Sequence, residues 1–270
     1  MIIRIAAACF CLGLVLSAAR SADPAPQVLS ATDLAARLSA WQLDGASYVR
    51  LRMEIKQPPG TTRSALQIQI KARRTKNATD VFYQILWPKE RKGETVLLRK
   101  ATDGSASGWI FTPPGTLRSL DASQMAEPLF GSDLSYEDLV DNFFAWKNQA
   151  IVGSEDLDGV NCQILESKPG KGARSSFASV RTWVDSRRLI PLRIEKYKAA
   201  GRPVRLIDTA NVVTDDIGRQ IPANLTVRGS HQDSVTELDG SRIRHDVTYS
   251  DRQFTPEALK EVTIPSSRPE

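Results

Sequence analysis

Cysteine, histidine and long apolar runs are scarce in this chain. Of 270 residues, three are cysteine and two are histidine. Cys9 and Cys11 fall in the first stretch of the chain, which leaves Cys162 alone in the body. One cysteine forms no internal disulfide, so the fold has to rest on its core. There is no H-E-x-x-H, no C-x-x-C, no P-loop and no G-x-G-x-x-G, so zinc, nucleotide and dinucleotide chemistry lack their usual ligands. The nearest run to a nucleophile elbow, Gly104-Ser105-Ala106-Ser107-Gly108, has alanine at its centre. His231 follows Ser230, but neighbours in a strand point to opposite faces. His245 alternates with Ile243 and Val247 and is expected on their face. No cofactor or metal is implied, and no catalytic residue.

Charge of one sign is also weak. Lys and Arg total 36, Asp and Glu 31, for a net charge of +5. Nucleic acid binding would gather the basic residues on one element, and they are spread. The one long apolar run, Ile5 to Leu16, is shorter than the roughly 20 residues that span a bilayer. It follows Arg4 and precedes the small residues Ser17 to Ala22. That is the layout of a secretory signal, ending at Ser21 or Ala19. Residues 1–21 are read as a cleaved signal and 22–29 as a linker. Residues 30–265 are read as one domain and 266–270 as a tail.

What is abundant is alternation. A helix is expected at 32–43, capped by Thr32, with Leu34, Leu38 and Trp41 in one stripe. Then Val49, Leu51, Met53 and Ile55 alternate with Arg50, Arg52, Glu54 and Lys56, a strand with one buried face. Leu66, Ile68 and Ile70 repeat the pattern against Gln67, Gln69 and Lys71. Further strands are expected at 81–87, 95–100, 107–112, 149–153, 160–167, 177–184, 190–198, 204–213, 221–228 and 242–249. Residues 115–128 read as a loop, and 132–146 as a second helix with a Ser135/Asp138 capping box. Asp133, Glu137 and Asp141 recur every four residues and read as a solvated helix face. Residues 255–262 read as a short helix or strand. The fold class is mainly β (α+β): a large curved antiparallel sheet with helices on one side. Val81, Tyr83, Ile85 and Trp87 on one face, with Phe82 and Leu86 on the other, give more apolar surface than one packed layer needs.

Three runs carry a resemblance. They are Leu86 to Leu98, then Trp109-Ile110-Phe111-Thr112-Pro113, then Phe130-Gly131-Ser132-Asp133-Leu134-Ser135-Tyr136-Glu137-Asp138-Leu139. Their order resembles the LolA-like outer-membrane lipoprotein-sorting proteins. Asp158 to Cys162, Val180 to Asp185 and Leu189 to Arg193 extend the resemblance, which covers roughly residues 30 to 250. It implies an unclosed β-barrel of about 11 strands, plugged by helices. It also implies a periplasmic, monomeric, non-enzymatic carrier of lipid or acylated lipoprotein cargo, working between an inner-membrane transporter and an outer-membrane acceptor. The cavity is expected along Val49, Leu51, Met53, Ile55, Leu66, Ile68 and Ile70, with Trp109, Phe111, Phe143 and Phe144 at its mouth. Gly131, Ser132, Asp133, Tyr136 and Asp138 are expected to form a lid hinge. The rival reading is a sensor or adaptor that docks on an envelope protein through the same sheet.

Overall fold

A computed structural model describes residues 28–42, 45–58, 60–198, 201–229, 233–245 and 247–263. The signal 1–21, most of the linker, His231 and the tail 266–270 lie outside the described residues, as does the Trp41 side chain.

Helix α1 spans Ala31–Gln42. Its cap is Ser30, not Thr32: the Ser30 hydroxyl accepts the Asp33 N–H at 3.1 Å. Leu34, Ala35 and Leu38 form its buried stripe.

Six strands follow: β1 (Ala46–Gln57), β2 (Thr61–Arg74), β3 (Ala78–Trp87), β4 (Thr95–Ala101), β5 (Ala106–Phe111) and β6 (Leu117–Leu120). A covering segment comes next, with 3-10 turns at Ala122–Ala126, Leu129–Gly131 and Phe143–Ala145 around helix α2 (Tyr136–Val140). Seven strands complete the sheet: β7 (Asn148–Leu157), β8 (Val160–Lys168), β9 (Ser179–Asp185), β10 (Pro191–Tyr197), β11 (Arg205–Thr214), β12 (Gln220–Gly229) and β13 (Val235–Arg244).

The spatial order is β6-β5-β4-β3-β2-β1-β13-β12-β11-β10-β9-β8-β7, antiparallel throughout. Two meanders, β1–β6 and β7–β13, are stitched together where Val49 pairs with Ile243 and Met53 with Leu238. Edges β6 and β7 do not meet, so the barrel is unclosed. The expected architecture is the one observed, with 13 strands rather than about 11.

Four details differ from expectation. The loop 115–128 contains β6. The helix 132–146 shrinks to the five residues of α2 because Asp141, with ψ 120°, leaves helical geometry. The last strand lies at Val235–Arg244 rather than 242–249. Its alternation was masked because Thr236, at 0% exposure, sits in the core as a hydrogen-bonding group. The terminal piece is a pair of 3-10 turns, Asp251–Phe254 and Pro256–Lys260.

Both faces of the first meander are covered, and the inner face of the second. On the inner face of the first meander, Met53, Leu66, Ile68, Val81, Tyr83, Ile85, Val96 and Leu98 pack under Leu129 and Tyr136. On the second, Leu165, Val180 and Val184 pack under α1 and Phe143–Phe144. On the outer face, Phe82, Leu97 and Phe111 are covered by Phe254 and Leu259. That C-terminal strap also buries Gln69 and Lys71, which the alternation assigned to solvent. The Gln84 amide donates to the Glu261 carbonyl at 2.9 Å, and the Lys71 ammonium to the Thr263 hydroxyl at 2.7 Å.

Candidate ligand-binding face

The inner face of β1–β4 is built in rows. Cross-strand partners in a sheet share a face, and every second residue returns to it. Leu51, Ile68 and Ile85 form one row, then Val49, Ile70, Tyr83 and Val96, then Ala72, Val81 and Leu98. The next row is Arg74, Thr79 and Lys100.

The covering segment crosses this face and is held by charge. Gly131 has φ 84° and nothing within 4 Å of where its Cβ would be. Its role is conformational, as a turn-forming glycine. The Ser135 hydroxyl caps α2 by accepting the Asp138 N–H at 3.3 Å, and Asp138 accepts the Ser135 N–H at 2.8 Å. The Ser135/Asp138 capping box is as expected.

The acidic residues are not a solvated face. Asp133 accepts the Ser234 and Thr236 hydroxyls at 2.9 and 2.7 Å. Glu137 accepts the Ser176 N–H at 2.6 Å and the hydroxyls of Ser175 and Ser176. Asp141 pairs with Lys100 at 2.8 Å. Asp138 has a fully buried side chain, with Lys196 at 2.8 Å and Arg205 at 3.0 Å. Burial alone would raise its pKa, but the two cations hold the carboxyl down at about 2. Asp133, Asp138 and Asp141 reach different strands and Glu137 reaches the loop before β9, so the segment is clasped to both meanders: β4 at one end, β10, β11 and β13 at the other.

Lys196 was missed by the sequence reading. It shares the inward side of β10 with Ile194 and lies over the rings of Phe143 and Phe177, 5.4 and 4.9 Å from their centroids. A lysine in phase with an inward isoleucine was the available signal.

Of the expected cavity residues, Leu51, Met53, Leu66, Ile68 and Ile70 belong to the inner-face cluster, and Val49 shares its row. Ile55 is buried further along β1. Trp109 and Phe111 do not border this face. They point outward, beneath the C-terminal strap, because Ile110 between them takes the inward side. Phe143 and Phe144 pack in the second meander with α1. Tyr136 is buried over the first meander, and Ser132 is buried beside Asp133.

A cavity of about 580 Å³ opens between the ends of β2–β4, α2 and the 172–174 loop. Its wall includes Val81, Leu139 and Val140 of the inner-face cluster, together with Arg74, Lys100 and Arg174.

Outside this face, Asp215, Asp216 and His245 bring ligand atoms within 4.8 Å of one another. Arg219 already lies 2.6 Å from His245 Nε2 and 3.2 Å from Asp215, so its guanidinium fills the cation's place. The strand stops at Arg244, and His245 turns to Asp216 at 2.6 Å instead of joining Ile243 on the core face. Cys162 is fully buried, as read from its strand, and burial pushes its thiol up to about 11. No helix among the described residues is long and apolar enough to cross a membrane.

A family model described as "Uncharacterized protein" matches residues 77–261, more than half of the chain. The chain belongs to that family. Its fold is LolA-like. A DUF1329 family protein from Desulfovibrio piger is similar at a TM-score of 0.77 and 24% identity, over 85% of this chain and 97% of its own. A domain from Vibrio parahaemolyticus, described as outer membrane lipoprotein-sorting, gives 0.75 and 19%, over 86% and 98%. A LolA superfamily protein from Nitrosomonas europaea gives 0.68 and 16%, over 86% and 100%. No curated protein matches the chain. At these identities the LolA-like neighbours establish the fold.

Proposed function

We propose that this LolA-like chain is a non-enzymatic periplasmic carrier. It would hold acyl chains of a lipid or lipoprotein on the inner face of β1–β4 and pass them across the envelope towards the outer membrane. The observation that carries this reading is the cover. An apolar floor is closed by a segment whose one α-helix has five residues and whose carboxylates fasten it by ion pairs and hydrogen bonds. Such a cover can leave as a unit and expose a continuous apolar surface. Each CH₂ taken out of water onto that surface contributes about 0.8 kcal/mol, offset in part by the cover's own lost contacts, so a single chain is held reversibly. The signal at residues 1–21 would deliver the protein, and an inner-membrane transporter and an outer-membrane acceptor would load and unload it.

The test is native mass spectrometry of the protein expressed with its own N-terminus and recovered from the periplasm, followed by organic extraction. Near-stoichiometric bound lipid is the expected result, and Ile68→Asp should abolish it while secretion continues. A ligand-free mass that stays ligand-free on incubation with lipid vesicles would overturn the carrier reading in favour of a protein-docking adaptor.

A further inference from the structure

The rows on the inner face change character abruptly. Along β2 the inward residues are Leu66, Ile68, Ile70 and Ala72, and then Arg74. Thr79 pairs with both Arg74 and Lys100, so a hydroxyl stands between two cations one pleat beyond the apolar row. The apolar strip and its cationic end together extend about 26 Å at roughly 3.3 Å per residue. The 580 Å³ cavity sits where the two meet, and Arg174 faces it from the opposite loop. Its volume lies within the roughly 300–1,000 Å³ usual for small-ligand pockets.

The row already takes an anion. Asp141 of the covering segment places its carboxylate on Lys100 at 2.8 Å. The other nearby acids are engaged. Asp138 is held by Lys196 and Arg205, and Asp103 accepts the Ser105 N–H and hydroxyl at 2.8 and 2.6 Å and keeps its charge at the same rim, where Arg174 offsets it. Arg74 and Arg174 are exposed at the rim.

Resting on the carrier reading above, we propose that this pocket selects an anionic amphiphile. The acyl chain would lie along the apolar rows once the covering segment has left them, and a negatively charged headgroup would replace the Asp141 carboxylate on Lys100, beside Arg74 and Arg174. Guanidinium groups suit this role because their fork of donors fits phosphate or carboxylate oxygens in pairs. A zwitterionic headgroup would bring its own cation against the row and lose that gain.

The experiment compares binding of phosphatidylglycerol and phosphatidylcholine with identical chains to the purified mature protein. At least a tenfold preference for phosphatidylglycerol is expected at low salt, narrowing as salt rises. Arg74→Gln combined with Arg174→Gln should weaken phosphatidylglycerol binding about tenfold and erase the preference, while the urea unfolding midpoint stays that of the wild type because both side chains are exposed. A preference that survives in this variant would overturn the headgroup assignment. Equal binding of the two lipids to the wild type would overturn the headgroup assignment and leave the carrier reading standing. Failure to bind either would overturn both. Glycerol phosphate without acyl chains is the third arm. Displacement of the lipid by it at millimolar concentration would mark a simple anion site and overturn the amphiphile.

Discussion

Asp138→Asn is the sharpest probe of the clasp. The carboxyl sits at about 2 in the folded protein, against an ordinary value of 3.8 in an unfolded chain. At roughly 1.4 kcal/mol per pH unit, the ionised form contributes about 2 kcal/mol to stability. Because the folded value is depressed, this contribution is complete above about pH 5. It fades as the pH falls through 3.8 towards 2, where the folded state also takes up the proton. Removing the charge at pH 7 does more than forfeit that amount. Lys196 has a 2% exposed side chain and would be left as a buried cation without a counter-charge of its own, facing a neutral amide and the rings of Phe143 and Phe177. Loss of one partner from a buried pair costs about 3–5 kcal/mol. Arg205 is less affected because its side chain is partly exposed. The assay is urea unfolding followed by tryptophan fluorescence and circular dichroism, at pH 7 and again at pH 3. Asp138→Asn should lose about 3–5 kcal/mol at pH 7 and show a flatter acid limb than the wild type. Lys196→Met on top of Asp138→Asn should restore a large part of the loss, because the stranded ammonium is gone. A loss under about 1 kcal/mol, or losses that simply add in the double variant, would refute the clasp.

Gly131→Ala should cost about 1–2 kcal/mol, the penalty of placing a Cβ in left-handed backbone, with no steric contribution since the space around it is open; equilibrium unfolding measures it. Lys71 is pushed down to about 8 by its burial under the C-terminal strap. Below pH 8 both folded and unfolded chains carry the proton. Between about 8 and 10.5 only the unfolded chain does, so stability should rise across that window, and Lys71→Met should remove the rise. Cys162 should resist alkylation in the native protein at pH 8 and react promptly in urea, because its thiol is both inaccessible and held up at about 11; rapid native labelling would contradict its place in β8.

Much of the fold was legible along the chain. Strict alternation in 49–56 and 66–71 marked β1 and β2 and their inward residues, because one buried face forces a period of two. The same rule failed where the outer face is also buried. Gln69 and Lys71 look like solvent residues locally, and only the strap from residues 251–263, nearly two hundred positions away, makes them interior. Trp109 and Phe111 show the converse. Two aromatics flanking Ile110 declare two faces but not which is inner, and pairing with β4 and coverage by Phe254 decided it.

The acids of the covering segment mark the same boundary. From sequence alone, Ser135 and Asp138 form a capping box, and they do, since that motif closes within four residues. The spacing of Asp133, Glu137 and Asp141 implied a helix face in water. Their true partners are Thr236, Ser176 and Lys100, which come from elements far apart in the chain. Local order, meaning the period of a strand, the cap of a helix or the turn at a glycine, depends on neighbours and was determined by the sequence itself. Which carboxylate is buried, which cation neutralises it and which apolar face stays available for a ligand depend on the pairing of β1 with β13. That pairing brings the two meanders together, and only the tertiary structure decided it.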